Sequence, residues 1–317
     1  MRRLLLHRYA ILALLVVGMG SLFKDDTHAA EHGTGVYLMG SKGPMAGVVP
    51  EPGFYFQNDL FYYRASASAS APLPMGGEVA VGIKARALID VPTLIWSTPH
   101  KVLDGQLAFA VSQPLGREAI DADVVVGSQS GGARGSITTR GDPLVSAMLG
   151  WNSGPFHWNT TAMVNVPVGH YRKGSMANLS FNHWAADFSV AGTWFDPSKG
   201  WDVSGVAGVT INGRNSATNY RSGHELHLEA AVSKYLSPSF SFGIMGYHYQ
   251  QITDDTGSGA VLGGFRGRTS ALGPTASYSF MLDEKPLAIR VKVLREFNVK
   301  NRLKGTAGFL TISRPLS

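Results

Sequence analysis

Residues 182–212 read NHWAADFSVAGTWFDPSKGWDVSGVAGVTIN. From Trp184 the even positions are Ala186, Phe188, Val190, Gly192 and Trp194, while the odd ones are Ala185, Asp187, Ser189, Ala191 and Thr193, with His183 just before. Asp196 to Gly200 is a five-residue turn. The return stretch alternates again, with Trp201, Val203, Gly205, Ala207, Val209 and Ile211 set against Asp202, Ser204, Val206, Gly208, Thr210 and Asn212. Successive strand side chains point to opposite faces, so a period of two makes one face apolar and the other small and polar. Trp194 and Trp201 close the apolar face beside the turn. A hairpin with acyl chains on one side and a polar lumen on the other has this pattern, its aromatics at headgroup level. A soluble sandwich could bury the same apolar face in a core, so the rest of the chain must decide.

The N-terminus favours export. Arg2, Arg3 and Arg8 precede the apolar run Tyr9 to Phe23, and Thr27-His28-Ala29 offers a small-x-small cleavage site. That run is shorter than the ~20 residues a spanning helix needs, so residues 1–29 read as a cleaved secretory signal. No second run of that length follows, and any membrane residence must be through strands. The 317-residue chain has no cysteine, 38 glycines and 16% charged residues. Passage through an oxidising periplasm suits the absence of cysteine. The formal charge is +6, and four basic residues against two acidic ones in 1–29 leave +4 for the mature chain. The cations are scattered, with no patch or stripe of the kind a nucleic acid requires.

Short turns are expected at Pro99 to Gly105, Asn152 to Pro155, Asp196 to Gly200, Ser237 to Ser239 and Asp283 to Pro286. Longer links are expected at Ser66 to Gly77, Gly127 to Gly141, Gly169 to Ser180, Asn212 to Gly223, Thr253 to Gly264 and Val299 to Lys304. The two kinds alternate, as they do in outer-membrane barrels with short periplasmic turns and long external loops. Trp96, Trp151, Trp158, Trp194 and Trp201 gather beside the short turns and predict an aromatic girdle at one interface. The expected fold is therefore all-β: a transmembrane, antiparallel, up-and-down β-barrel of about twelve strands over residues 54–317. Residues 30–53, rich in glycine and proline, read either as an ordered segment lying in the lumen as a plug, with Gly33, Gly35, Tyr37 and Gly40 within it, or as a loose periplasmic tail.

Alternation assigns an inward set: Lys84, Arg86 and Asp90; His183 and Asp187; Glu225, His227 and Glu229; Arg290 and Lys292. An Arg or Lys facing lipid at the midplane costs about 2–4 kcal/mol, which argues for a wet interior. His224-Glu225-Leu226-His227 is not a zinc motif, because histidines three apart on a strand face opposite ways. His183, Asp187, Ser189, Glu225 and His227 could share a lumen, but no histidine and serine meet on the outer face where a lipid hydrolase needs them. Gly131 to Gly135 and Gly263 to Gly267 lack the Lys-Ser/Thr pair and the strand-helix setting of phosphate loops. No catalytic residue, metal or cofactor is expected.

Glu31-His32-Gly33-x-Gly35-x-Tyr37-x-x-Gly40, then Pro52-Gly53-x-Tyr55 and the strand ending Tyr62-Tyr63, resemble the opening of the outer-membrane family named for the meta-pathway of phenol degradation. Asn178-Leu179 and Asn182-x-Trp184 resemble its passage from loop to strand. The resemblance implies a bacterial outer-membrane, porin-like barrel without catalytic residues, taking up small hydrophobic or aromatic compounds passively. Its partners would be outer-membrane lipid and that solute. The alternatives are a non-transporting surface or structural protein of the outer membrane and, further off, an outer-membrane lipid hydrolase. Many such barrels end on an aromatic residue, whereas this chain ends Arg314-Pro315-Leu316-Ser317.

Overall fold

The computed structural model describes residues 35–72, 78–126, 129–261 and 263–316. The expected signal at 1–29, residues 30–34 of the expected plug and with them Gly33 lie outside the described residues. The strands are β1 (Gly53–Pro72), β2 (Glu78–Val102), β3 (Gly105–Ser112), β4 (Leu115–Val126), β5 (Gln129–Arg140), β6 (Leu144–Ser153), β7 (Phe156–Asn165) and β8 (Ala185–Asp196). They continue as β9 (Trp201–Asn212), β10 (Arg214–Asn215), β11 (Tyr220–Arg221), β12 (Glu225–Tyr235), β13 (Phe240–Gln251), β14 (Arg268–Leu282), β15 (Lys285–Lys300) and β16 (Lys304–Pro315).

Fourteen strands share one antiparallel sheet, while β10 and β11 form a separate ribbon. Within the sheet, β4 pairs only with β2 and β5, and β5 only with β4. The other twelve close into a ring, because β1 pairs with both β2 and β16. Closure leaves no open edge in the ring, which is what a β-structure needs in hydrocarbon. No helix among the described residues is long and apolar enough to cross a membrane.

Turn chemistry sets one end of the ring. Leu103-Asp104 and Asp283-Glu284 each connect adjacent strands with both φ angles positive, at 49° and 59° and at 49° and 63°. A two-residue turn of that hand matches the twist of the strands it joins. At this end Trp151 and Trp158 stack with ring centroids 6.4 Å apart, and Trp96 lies 6.1 Å from Phe54 and 6.0 Å from Phe109. The long links leave from the other end.

Two expected links are strands. Residues 66–72 continue β1 in register with Glu78 to Lys84 of β2, and residues 129–140 form β5 against β4. Their Ala/Ser and Gly/Ser/Thr composition is that of a loop, but neighbouring strands supply the backbone partners. β2 spans 25 residues, about 80 Å at strand rise, against the 9–11 residues a membrane crossing takes. The part of β2 from Arg86 out to Glu78, with the bulk of β4 and β5, therefore reaches beyond the membrane band. A line of prolines marks where β4 and β5 leave the ring. The Gln113 N–H donates to the Pro92 carbonyl, Gly141 to Pro114 and Val166 to Pro143, at 3.1, 2.8 and 3.0 Å. Proline has no N–H to continue a ladder, so β3 separates from β4 and β5 from β6 there.

Candidate functional site: the barrel interior

Inward faces follow from parity. On β8 and β9 most inward residues are small or polar: Asp187, Ser189, Thr193, Asp202, Ser204 and Thr210 are all buried, with Ala185, Ala191 and Val206 among them. On β12 they are Glu225, His227 and Glu229, each at most 4% exposed. Their outward neighbours Phe188, Val190, Val203, Leu228 and Val232 are exposed apolar residues. Asp187 Oδ2 accepts from Thr210 Oγ1 at 2.6 Å and lies 2.8 Å from His227 Nε2. His183 sits just before β8, its Nδ1 3.0 Å from the Phe181 carbonyl and its Nε2 3.4 Å from Asn212 Oδ1.

The opposite wall is different. Phe61, Met245, Tyr247, Ala271, Leu294, Ala307 and Phe309, from β1 and β13–β16, form a buried apolar cluster with Ala231. Polar atoms within it are paired: Tyr247 and Tyr63 donate their hydroxyls to Glu296 at 2.9 and 2.8 Å, and the Gly305 N–H donates at 2.6 Å. Arg302, from the β15–β16 turn, stacks its guanidinium 4.1 Å from the Tyr249 ring centroid.

Residues 35–50 run down the space between these walls. Tyr37 stacks on His227 with ring centroids 3.6 Å apart. Leu38 and Met39 pack on the apolar cluster. The Gly40 N–H donates to Glu229 Oε1 at 2.9 Å. Lys292, 1% exposed, donates from Nζ to the carbonyls of Gly40, Ser41 and Lys42 at 2.7, 2.8 and 3.1 Å. Gly40 has φ +83°, and a Cβ there would lie 2.7 Å from Leu294 Cδ1, so the close pass requires glycine. Lower down, the Met45 N–H donates to Ser204 Oγ and that of Gly47 to Thr193 Oγ1, and Ser97 Oγ donates to the Pro50 carbonyl. Gly35, at the top, lies against Glu225.

Of the ten residues assigned inward from sequence, the structure brings His183, Asp187, Glu225, His227, Glu229 and Lys292 together as buried groups. Arg290 is half-buried on the same face of β15, donating to Ser277 Oγ at 2.9 Å. Lys84, Arg86 and Asp90 require correction. The buried β2 side chain is Ala85, with Ile89 packed on the interior cluster, so the even positions share the outer side with exposed Leu88, Leu94 and Trp96. Lys84 and Arg86 lie beyond the apolar band, where an outward charge meets water, and Asp90 accepts from Asn58 Nδ2 at 2.6 Å. The tryptophans Trp96, Trp158 and Trp201 are exposed on the outer face, and Trp151 and Trp194 half-buried.

Sequence reasoning missed Glu296, Tyr63, Tyr247, Tyr249 and Arg302. Glu296 shares the even parity of Arg290 and Lys292, so extending that strand would have found it. Tyr247 and Tyr249 alternate on β13 and Tyr63 lies on β1, strands whose faces were not assigned, and Arg302 lies in a turn where alternation carries no signal.

A closed twelve-strand ring with an apolar outside, a polar and aromatic inside and one aromatic end defines a transmembrane β-barrel of the outer-membrane type. The chain belongs to the family described as "Putative MetA-pathway of phenol degradation", which matches residues 69–312. The match includes Asn178, Asn182 and Trp184 and starts after the N-terminal motifs that carried the resemblance. The crystal structure of an outer-membrane channel from Pseudomonas putida F1 is similar, with TM-score 0.65 and 18% identity over 84% of this chain and 96% of that one. A Pseudomonas aeruginosa FadL homologue has TM-score 0.40 and 9% identity over 82% and 88%. The translocator domain of the autotransporter NalP from Neisseria meningitidis has TM-score 0.41 and 11% identity over 83% and 88%. No curated protein matches by sequence. The first of these likenesses carries the fold.

Proposed function

We propose that the protein sits in the bacterial outer membrane after losing its signal, and passively admits small hydrophobic or aromatic compounds past the segment at 35–50. One observation carries this reading: one side of the interior holds a buried aromatic and aliphatic cluster, from Phe61 and Tyr247 to Leu294 and Phe309, covered by Leu38 and Met39. A pore for ions gains nothing from such a cluster, whereas a ring-shaped apolar solute finds there the surface that Leu38 and Met39 occupy. The charges opposite, Glu225, Glu229, Arg290 and Lys292, bias which solutes pass. The family's name, with its reference to phenol degradation, is consistent with an aromatic solute.

The test is uptake of a labelled hydroxylated aromatic and of a sugar of similar size by cells of a porin-poor host. Expression should raise aromatic uptake several-fold over sugar uptake. Equal or absent stimulation overturns the reading. The filling of the lumen by residues 35–50 favours a second reading, a non-transporting envelope protein, and absence of any flux is its signature.

A further inference from the structure

The outer surface carries an arginine row that neither the lumen nor the fold requires. In the ladder, Arg295 of β15 is opposite Thr306 of β16, Thr306 is opposite Arg64 of β1, and Arg64 is opposite Arg86 of β2. Each arginine is exposed on the outward face. Each also comes two positions after an exposed apolar residue: Val293 before Arg295, Tyr62 before Arg64 and, reading outward along the antiparallel strand, Leu88 before Arg86. Two strand residues span about 7 Å, so the row lies one step above the apolar band at the long-loop end.

Like charges directly opposite one another destabilise a sheet, yet Arg64 and Arg86 are such a pair. Asp121 is the anion at hand. It contacts Arg86 at 2.9 Å and Arg134 at 3.6 Å, already divided between two cations. Among the described residues no carboxylate pairs with Arg64 or Arg295; Arg295 Nη1 donates to Thr306 Oγ1. Adjacent strands lie about 5 Å apart, which sets Arg64 and Arg86 as a close fork and Arg295 about 10 Å away. Guanidinium groups so placed suit phosphate oxygens, which they bind in a bidentate manner.

From this geometry we infer that the row docks a phosphorylated glycolipid of the outer leaflet, its acyl chains on Tyr62, Leu88 and Val293 and its phosphates on Arg64, Arg86 and Arg295. The inference rests on residence in the outer membrane with the long loops outside, and on no solute or transport step.

The test uses the full chain in detergent and native mass spectrometry, with a multi-acylated, bis-phosphorylated glucosamine disaccharide lipid as probe. The wild-type protein should retain this lipid at least tenfold more than its dephosphorylated counterpart. The R64S/R86S/R295S variant, checked for folding by its heat-dependent gel mobility, should lose that preference, while K199S at the short-turn end should keep it. Equal retention of both lipids by the wild type overturns the proposal without any variant. So does full retention by the folded triple variant, and so does displacement of the lipid by low-millimolar inorganic phosphate, which would mark a phosphate site instead. Aromatic uptake is read separately, so either idea can fail alone.

Discussion

Replacing Lys292 by Met removes a buried ammonium and keeps a flexible apolar stem of similar length. Three carbonyls of the segment at 40–42 lose their donor, and the Phe309 ring loses the cation 4.4 Å from its centroid. Charge-assisted bonds contribute about 1.5–3 kcal/mol each, so the gross loss is several kcal/mol. Two effects offset it: the stem no longer has to desolvate a charge, and water reaching the interior can solvate the freed carbonyls. Leu38, Met39 and the Tyr37 stack on His227 still hold the segment. A net of about 3 kcal/mol on docking remains, which raises the undocked fraction roughly 100-fold. The chain has no cysteine, so a thiol at Ala46 is a unique reporter. With A46C as background, K292M should increase the rate of maleimide labelling roughly 100-fold and raise conductance in planar bilayers. Labelling unchanged within about threefold in a folded barrel would mean that Lys292 does not hold the segment, and the reasoning from its three bonds would be refuted.

Three other perturbations probe separate contacts. Asp142, 2% exposed, accepts from the N–H groups of Gly169, Phe181 and Asn182, from Ser180 Oγ and from Asn165 Nδ2. D142A should loosen residues 166–184 by about 3 kcal/mol; protease nicking there should rise while the heat-dependent gel shift persists, and unaltered nicking would show that the loop is held otherwise. Glu118, on β4 beyond the membrane band, accepts from the Asn178 N–H at 3.1 Å, and burial pushes its carboxyl up to about 7 against the pull of that bond. The folded state thus keeps a proton that the unfolded chain releases near 4.5, so local stability is greatest below about pH 4.5 and falls as pH rises towards about 7. Hydrogen exchange at residues 176–179, corrected for intrinsic rate, should quicken through that window and flatten in E118Q; an identical slope in the variant would exclude Glu118. A Cβ on Gly47 would meet the His157 carbonyl and the Thr193 nitrogen at 2.5 Å. Because that is backbone, G47A should lower stability by about 1–3 kcal/mol, seen as an earlier midpoint of heat-dependent mobility; an unmoved midpoint would mean the segment shifts freely.

The ring was legible wherever one strand face met lipid and the other met polar groups. In β8, β9 and β12 the solvent changes from acyl chain to lumen across a single residue, so alternation reports facing directly. Beyond the membrane that contrast vanishes. Val81, Ile83 and Ala85 are the apolar positions that alternate with Lys84 and Arg86, yet Val81 and Ile83 belong to the extension of β2, where both sides can be wet and hydrophobicity no longer distinguishes them. Leu88, Leu94 and Trp96, within the band, fix the opposite parity and turn Lys84 and Arg86 outward. The same loss of contrast made residues 66–72 and 129–140 look like links: small side chains without an oily face still form a ladder when a neighbouring strand offers partners. The interior misled in another way. Because Leu38 and Met39 cover Phe61, Leu294 and Phe309, the barrel has an apolar inward patch that a rule of polar lumen and apolar outside does not foresee. Period-two reasoning finds each face but not what the face touches, and here the face on β13–β16 touches the chain's own leading segment. That contact is what makes Lys292 a latch and not merely a lumen charge.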